Sequence, residues 1–253
     1  MEVHHHSHAP KKFKEYITEF IMLFAAVTLG FFAENIREHI VEKEREAKFI
    51  EIVHEDINND IASLHHIIGS YEQRLKREDT LINLLSYPDT KRLSDLYYYA
   101  RINSIREFFI HSKNGFQQLK NAGGMRMIED MEVIKKIQAY ENSIEKLEEL
   151  QVLTEQLLMN YREQMAKLFS GVVFRSMLYK PEAKIVYDKF KRPDNNPALL
   201  SNNAIELNQL LVKSLYVNNN TNGILVSSKD LLKQAVELET LLSKKYNIHS
   251  ENK

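Results

Sequence analysis

Four histidines crowd the N-terminal end of the chain, His4, His5, His6 and His8. Imidazole nitrogens so closely spaced could chelate a divalent transition metal such as zinc or nickel, with modest affinity because no folded frame fixes a fourth ligand. A second chemical candidate is Glu19, which opens an uncharged apolar run. It shares a helical face with Met22, Ala26 and Ala33, and Gly30 lies beside them. A carboxyl at that depth could line a proton or cation path, or set register between protomers. It also lies about one turn past Tyr16, shallow enough to reach headgroups or to meet Lys12 or Lys14. The small residues are the firmer signal, because they let two helices approach closely. His54 falls on a long apolar stripe, with His65 and His66 farther along. They could titrate around pH 6, although a core or boundary histidine with a local hydrogen bond is the plainer expectation. The acidic pairs Glu55–Asp56 and Glu129–Asp130 are expected on solvated helix faces.

What the sequence lacks narrows the function. There is no Cys, so disulfides, thiolate metal sites and cysteine nucleophiles are excluded. No phosphate-binding glycine pattern, GxSxG or HExxH occurs, and the reading is non-enzymatic. Lys and Arg number 34 against 35 Asp and Glu, which gives no basic field to attract nucleic acid. Hydrophobic residues make up 43% of the chain, too many for a disordered protein.

These residues sit on long helices. From Tyr16 to Ala33 the chain is apolar apart from Glu19 and a few small polar residues, and its 18 residues make about 27 Å of helix, just enough to span a bilayer. Lys11, Lys12 and Lys14, with Phe13 and Tyr16 among them, resemble a basic and aromatic anchor. Phe31 stands where a signal peptidase would need a small residue, so the segment reads as a retained single-pass anchor. Basic residues flank both ends; the lysines before the span favour a cytoplasmic N-terminus and a periplasmic C-terminal domain at the inner membrane.

Alternate steps of three and four run from Glu19 through Met22, Ala26, Leu29, Ala33, Ile36, Ile40, Lys43, Ala47, Ile50, His54 and Ile57 to Leu85. The span and the stalk therefore read as one rod of about 100 Å, either supercoiled with partners or shared among neighbours. Phe49, Val53 and Ile67 widen the stripe toward a bundle, and Lys43 and Glu78 on it could set register. A turn at Ser86–Asp89 ends the rod. A helix capped by Ser94 is expected to run toward Phe109, and a short helix follows in GFQQLKNAGG. A second long helix, from Asp130 to Leu178, is expected to pair antiparallel with the first. Beyond the loop KRPDNNP, the motif NNNTNG reads as a turn between two last helices.

The order HHHSH, basic residues, apolar span, Glu34 to Glu38 as ENIRE and Glu55 to Asp60 as EDINND is continued by FQQLKNAGGMRMIED (Phe116 to Asp130) and KKIQAYENS (Lys135 to Ser143). Together these resemble a family of single-pass membrane proteins of Bacteroidota-type bacteria. The resemblance covers roughly the first 165 residues. It implies a native histidine tract, a retained anchor and a helical extra-membrane domain, and it implies no activity.

The expected organisation is all-α: a tail at 1–15, a transmembrane helix at 16–33, an antiparallel long-helix bundle at 34–180 and a C-terminal helical segment at 181–253. The expected role is an oligomeric scaffold, sensor or accessory subunit of a cell-envelope complex. Its partners would be the bilayer and either further copies of the chain or another membrane protein. An ion- or proton-coupled transport component using Glu19, or a metal-binding tail, is the alternative.

Overall fold

The computed structural model describes residues 13–121, 123–178 and 190–248, and its regular elements are helices. The first, α1 (Phe13–Ser86), is one unbroken helix of 74 residues. At 1.5 Å per residue it is about 110 Å long. Proline is absent from it, and Pro88 lies just beyond its end. After a 3₁₀ turn (Thr90–Arg92) come α2 (Leu93–Asn103) and α3 (Asn114–Asn121), then a second 3₁₀ turn (Gly124–Arg126), α4 (Met131–Leu168), the short α5 (Gly171–Ser176) and α6 (Ala204–Tyr246).

Cross-helix pairs give the directions. His54 meets Glu239, Glu72 meets Lys229 and Glu78 meets Thr221, so α6 runs against α1. Lys136 meets Glu237, Ser143 meets Gln234, Asn220 meets Thr154 and Gln164 meets the Glu206 carbonyl, so α6 also runs against α4. The two helices α1 and α4 therefore run the same way, which corrects the antiparallel pairing expected of them. The reason lies between them. Residues 93–121 travel back along α1, from Tyr97 beside Leu81 and Leu85 to Gly115, whose Cα packs on the Ile52 and Val53 backbone. A Cβ there would stand 2.7 Å from the Val53 nitrogen, so only glycine permits this approach.

Two apolar clusters form the core. One joins Ile50, Ile57, Leu64 and Tyr71 of α1 with Ile137, Tyr140 and Leu147 of α4 and Ile224, Leu231 and Leu238 of α6. The other joins Leu81 and Leu85 with Tyr97, Leu158, Tyr161, Leu168 and Leu210. Because α6 supplies residues to both, the core does not divide at residue 180.

Three expected boundaries move. Residues 218–223, NNNTNG, stay inside α6 instead of forming a turn. Asn220 donates to Thr154 Oγ1 at 2.7 Å and Thr221 to Glu78 Oε1 at 3.0 Å, so these polar side chains form a buried layer. The helix expected from Ser94 to Phe109 stops at Asn103, and the one expected to reach Leu178 stops at Leu168. There Phe169 turns extended and is buried edge-on against Tyr97, with ring centroids 4.9 Å apart. Ser94 is not the side-chain cap of α2. Its N–H donates to Asn196 Oδ1, and its hydroxyl donates to the Pro193 carbonyl.

Candidate functional site: an exposed apolar segment and a buried polar spine

From Phe13 to Ile40 every residue except Thr28, which is half-buried, is exposed, although the same helix is buried against neighbours from Glu46 onward. One 18-residue window in this helix has mean hydropathy 1.8 and no buried residue, long and apolar enough to cross a membrane. Phe31 is 75% exposed and Leu23 72%, values that water would penalise by about 25 cal/mol for each Å² left uncovered.

The helix sorts this segment into two faces. At 100° per residue, Glu19, Met22, Ala26, Gly30 and Ala33 fall within an arc of about 80°. All five are exposed, and a Cβ added at Gly30 would meet nothing within 4 Å. On the far side Phe13, Phe20, Phe24 and Phe31 fall within about 40° of one another. Phe20 and Phe24 stack with centroids 6.3 Å apart. The sequence reasoning missed this aromatic face, whose signal is the spacing of seven, four and seven. Thus one side offers small residues for close approach and the other bulky residues suited to acyl chains. The tract His4, His5, His6 and His8 lies outside the described residues. Among the described residues, no group of three or more His, Asp or Glu is placed to hold a metal ion.

Above residue 45 the stripe on α1 keeps Ile50, Ile57, Leu64, Tyr71, Glu78 and Leu85. The alternate positions fall one residue earlier than expected, at Glu46, Val53, Asp60, Ile67, Arg74 and Leu81. Asp60 and Arg74 meet the returning segment, whereas Glu46 accepts from the Tyr246 hydroxyl of α6. Residues 104–113 are not helical, so their backbone groups need partners from outside. Arg74 donates to the Asn103 carbonyl at 3.1 Å and to the Ile105 carbonyl. Tyr71 donates to the Glu107 carbonyl, and burial pushes its hydroxyl up to about 12. Gln151 of α4 brackets Phe109, accepting from its N–H at 2.7 Å and donating to its carbonyl at 3.2 Å. Arg162 holds the Ser104 carbonyl through two nitrogens.

The densest node is Asp60, which is fully buried. Its carboxylate accepts from the Ser112 N–H at 2.8 Å and from the Tyr140 hydroxyl at 2.8 Å, and pairs with His111 Nδ1 at 2.6 Å. Burial first, and then the Asp60 charge, push the Tyr140 hydroxyl well above the ordinary phenol range. One turn earlier Asp56 accepts from the Gly115 N–H at 2.6 Å. It is buried, which corrects the expectation of a solvated Glu55–Asp56 face. Asp130 departs from expectation as well, since it caps α4 by accepting from the Glu132 and Val133 N–H groups.

His54 is buried, with Nε2 2.9 Å from Ser243 Oγ and 3.1 Å from Glu239 Oε1. Serine and acid share one ring nitrogen here, whereas a hydrolytic relay places them on opposite nitrogens. The cluster therefore ties α1 to α6. Glu78 does the same farther along, accepting from Arg74 at 2.7 Å and from Thr221, while burial pushes its carboxyl up against the pull of Arg74. Lys43, by contrast, stands exposed below the bundle, as do His65 and His66 on its flank.

No protein family matches the chain, and neither a curated protein nor a solved structure matches it.

Proposed function

We propose that this is a non-enzymatic membrane-anchored protein in which residues 16–33 sit in a bilayer and associate through the face of Glu19, Met22, Ala26, Gly30 and Ala33. The single observation that carries this reading is the abrupt change along α1. One continuous helix is bare and apolar over its first turns, and then buried within its own chain from Glu46 onward. The bundle needs no second copy to cover its stripe, so self-association falls to the bare segment. The resemblance to single-pass membrane proteins of Bacteroidota-type bacteria agrees with this placement. Because α1 is one helix, a change in the bundle and a change in the span are mechanically linked. That suits a scaffold, sensor or accessory subunit of an envelope complex. The lysines before the span favour a cytoplasmic N-terminus and a periplasmic bundle, against basic residues that also follow it.

Light scattering of the full chain in detergent tests the association. The wild type is expected to be an oligomer, Gly30→Leu to shift it toward monomer, and Phe24→Leu on the opposite face to leave it unchanged. A wild type that is monomeric at every concentration would remove the small-residue face from the account.

A further inference from the structure

A cleft of about 210 Å³ opens between α1 and α2, lined by Arg74, Arg77, Arg106, Glu107, Tyr98 and Phe190 among others. Its guanidinium groups are unevenly paired. Arg74 is matched by Glu78, and Arg106 by Glu155. Glu107 accepts from Ser70 at 2.6 Å and lies 3.8 Å from His66. Among the described residues Arg77 has no such ion pair: its Nε is buried without a hydrogen bond, and Glu78 and Glu107 act on it only through their charge. Burial, and then the neighbouring Arg74 charge, hold Arg77 below the ordinary guanidinium range. Nearby, Arg101 repeats the pattern. Its Nε is also buried and unbonded, its guanidinium lies 5.0 Å over the Phe190 ring, and burial followed by Arg162 lowers it in the same way.

Half-buried guanidinium groups are ordinarily matched by carboxylates, because charge taken from water is costly until it is compensated. Two that lack one among the described residues, beside a cleft, point to an anion supplied from outside the bundle. We propose that this cleft binds a small organic oxyanion, its charged group held by Arg77 with Arg74 and Arg106 behind it, and its body against Tyr98 and Phe190. Guanidinium forks suit carboxylate and phosphate oxygens alike, and the aromatic rings offer a flat wall to the remainder of the molecule. A lipid headgroup of the anchoring bilayer is not the source. Arg77 lies 44 residues beyond Ala33, about 66 Å along α1. The ligand would thus be a soluble metabolite-sized anion reaching the far end of the bundle. The anion site itself stands on the bundle alone; only the exclusion of a headgroup rests on residues 16–33 lying in the bilayer.

Calorimetric titration of the full chain in detergent with phenyl phosphate, benzoate and inorganic phosphate tests it, alongside melting temperature without ligand. At least one aromatic anion should bind more tightly than inorganic phosphate, and raising the salt concentration should weaken the binding. Arg77→Gln should weaken it at least about tenfold, or about 1.4 kcal/mol. The same substitution should leave the unliganded melting temperature unchanged or higher, since it removes an uncompensated charge. Arg77→Lys, which keeps the charge and loses the fork, should fall between. Absence of binding by all three probes, or binding that survives Arg77→Gln, would overturn the proposal. So would an Arg77→Gln protein that melts lower than wild type while Arg77→Lys binds as wild type, because Arg77 would then be only a structural brace.

Discussion

Replacing Asp60 by Ala removes the acceptor for the Ser112 N–H, the Tyr140 hydroxyl and His111 Nδ1 at once. Each buried donor left unbonded costs about 1–3 kcal/mol. Against that, the variant no longer carries a carboxylate out of water, a relief of several kcal/mol. The net expectation is the range seen when one member of a buried ionic network is removed, about 3–5 kcal/mol. Asp60→Asn keeps one carbonyl oxygen for Ser112, and its amide can face the Tyr140 oxygen. It should cost only about 1–2 kcal/mol, close to a single compromised hydrogen bond. Glu55→Ala, on the exposed side of the same turn, should fall within about 0.5 kcal/mol of wild type. Urea unfolding of the full chain in detergent, followed by circular dichroism, ranks the three. Hydrogen exchange adds a local reading, since the Ser112 amide should lose protection in Asp60→Ala before the amides of α4 do. An Asp60→Ala protein within 1 kcal/mol of wild type would refute the claim that side chains of α1 hold the returning segment.

Three further outcomes follow from the same geometry. Gly115→Ala would press a Cβ to within 2.7–2.9 Å of the α1 backbone at Ile52 and Val53, so it should destabilise by about 1–3 kcal/mol in the same assay, whereas Gly69→Ala, with nothing within 4 Å, should not. Burial raises the Glu239 carboxyl, but hydrogen bonds from Ser243 and His54 outweigh it and hold the group below its ordinary value. The unfolded chain therefore takes up this proton first, and the stability it contributes is complete above the ordinary carboxylate range and fades as pH falls through and below it; Glu239→Gln should melt lower than wild type at neutral pH, with the gap closing on acidification. Inserting one alanine after Ala33 would rotate the span by about 100° relative to the bundle, and should leave the bundle's melting unchanged while altering any response that passes between them.

Much of α1 was legible in its sequence, and the returning segment was not. The seven-residue repeat and the stop before Pro88 are local signals, and the helix obeys both. At the alternate core positions hydropathy misleads, because Asp60 and Arg74 read as surface residues and are buried by partners far along the chain. Besides Tyr140 and Glu78, their partners lie in residues 103–112, where Phe108 and Phe109 suggest helix, but backbone bonds to Arg74, Gln151 and Arg162 favour an extended path. The direction of α4 follows from that path, so no reading of helix lengths could supply it. In α6 the run of asparagines at 218–220 carries the composition of a turn, yet Asn218 and Asn220 bond across to α1 and α4. The small-residue face of the apolar segment was visible from spacing alone. The opposing phenylalanine face was equally visible and needed only a second phase to be tried.

The central claim is that residues 16–33 lie in a bilayer and the helix emerges before the bundle begins. The chain has no cysteine, so single replacements can be read without background. Phe20→Cys, Phe24→Cys, Val27→Cys and Phe31→Cys, reconstituted in lipid vesicles, should resist a water-soluble thiol reagent and be reached by a lipid-soluble one, while Glu38→Cys and Glu42→Cys react readily with the former. Rapid reaction of the first four with the water-soluble reagent in intact vesicles would contradict the account.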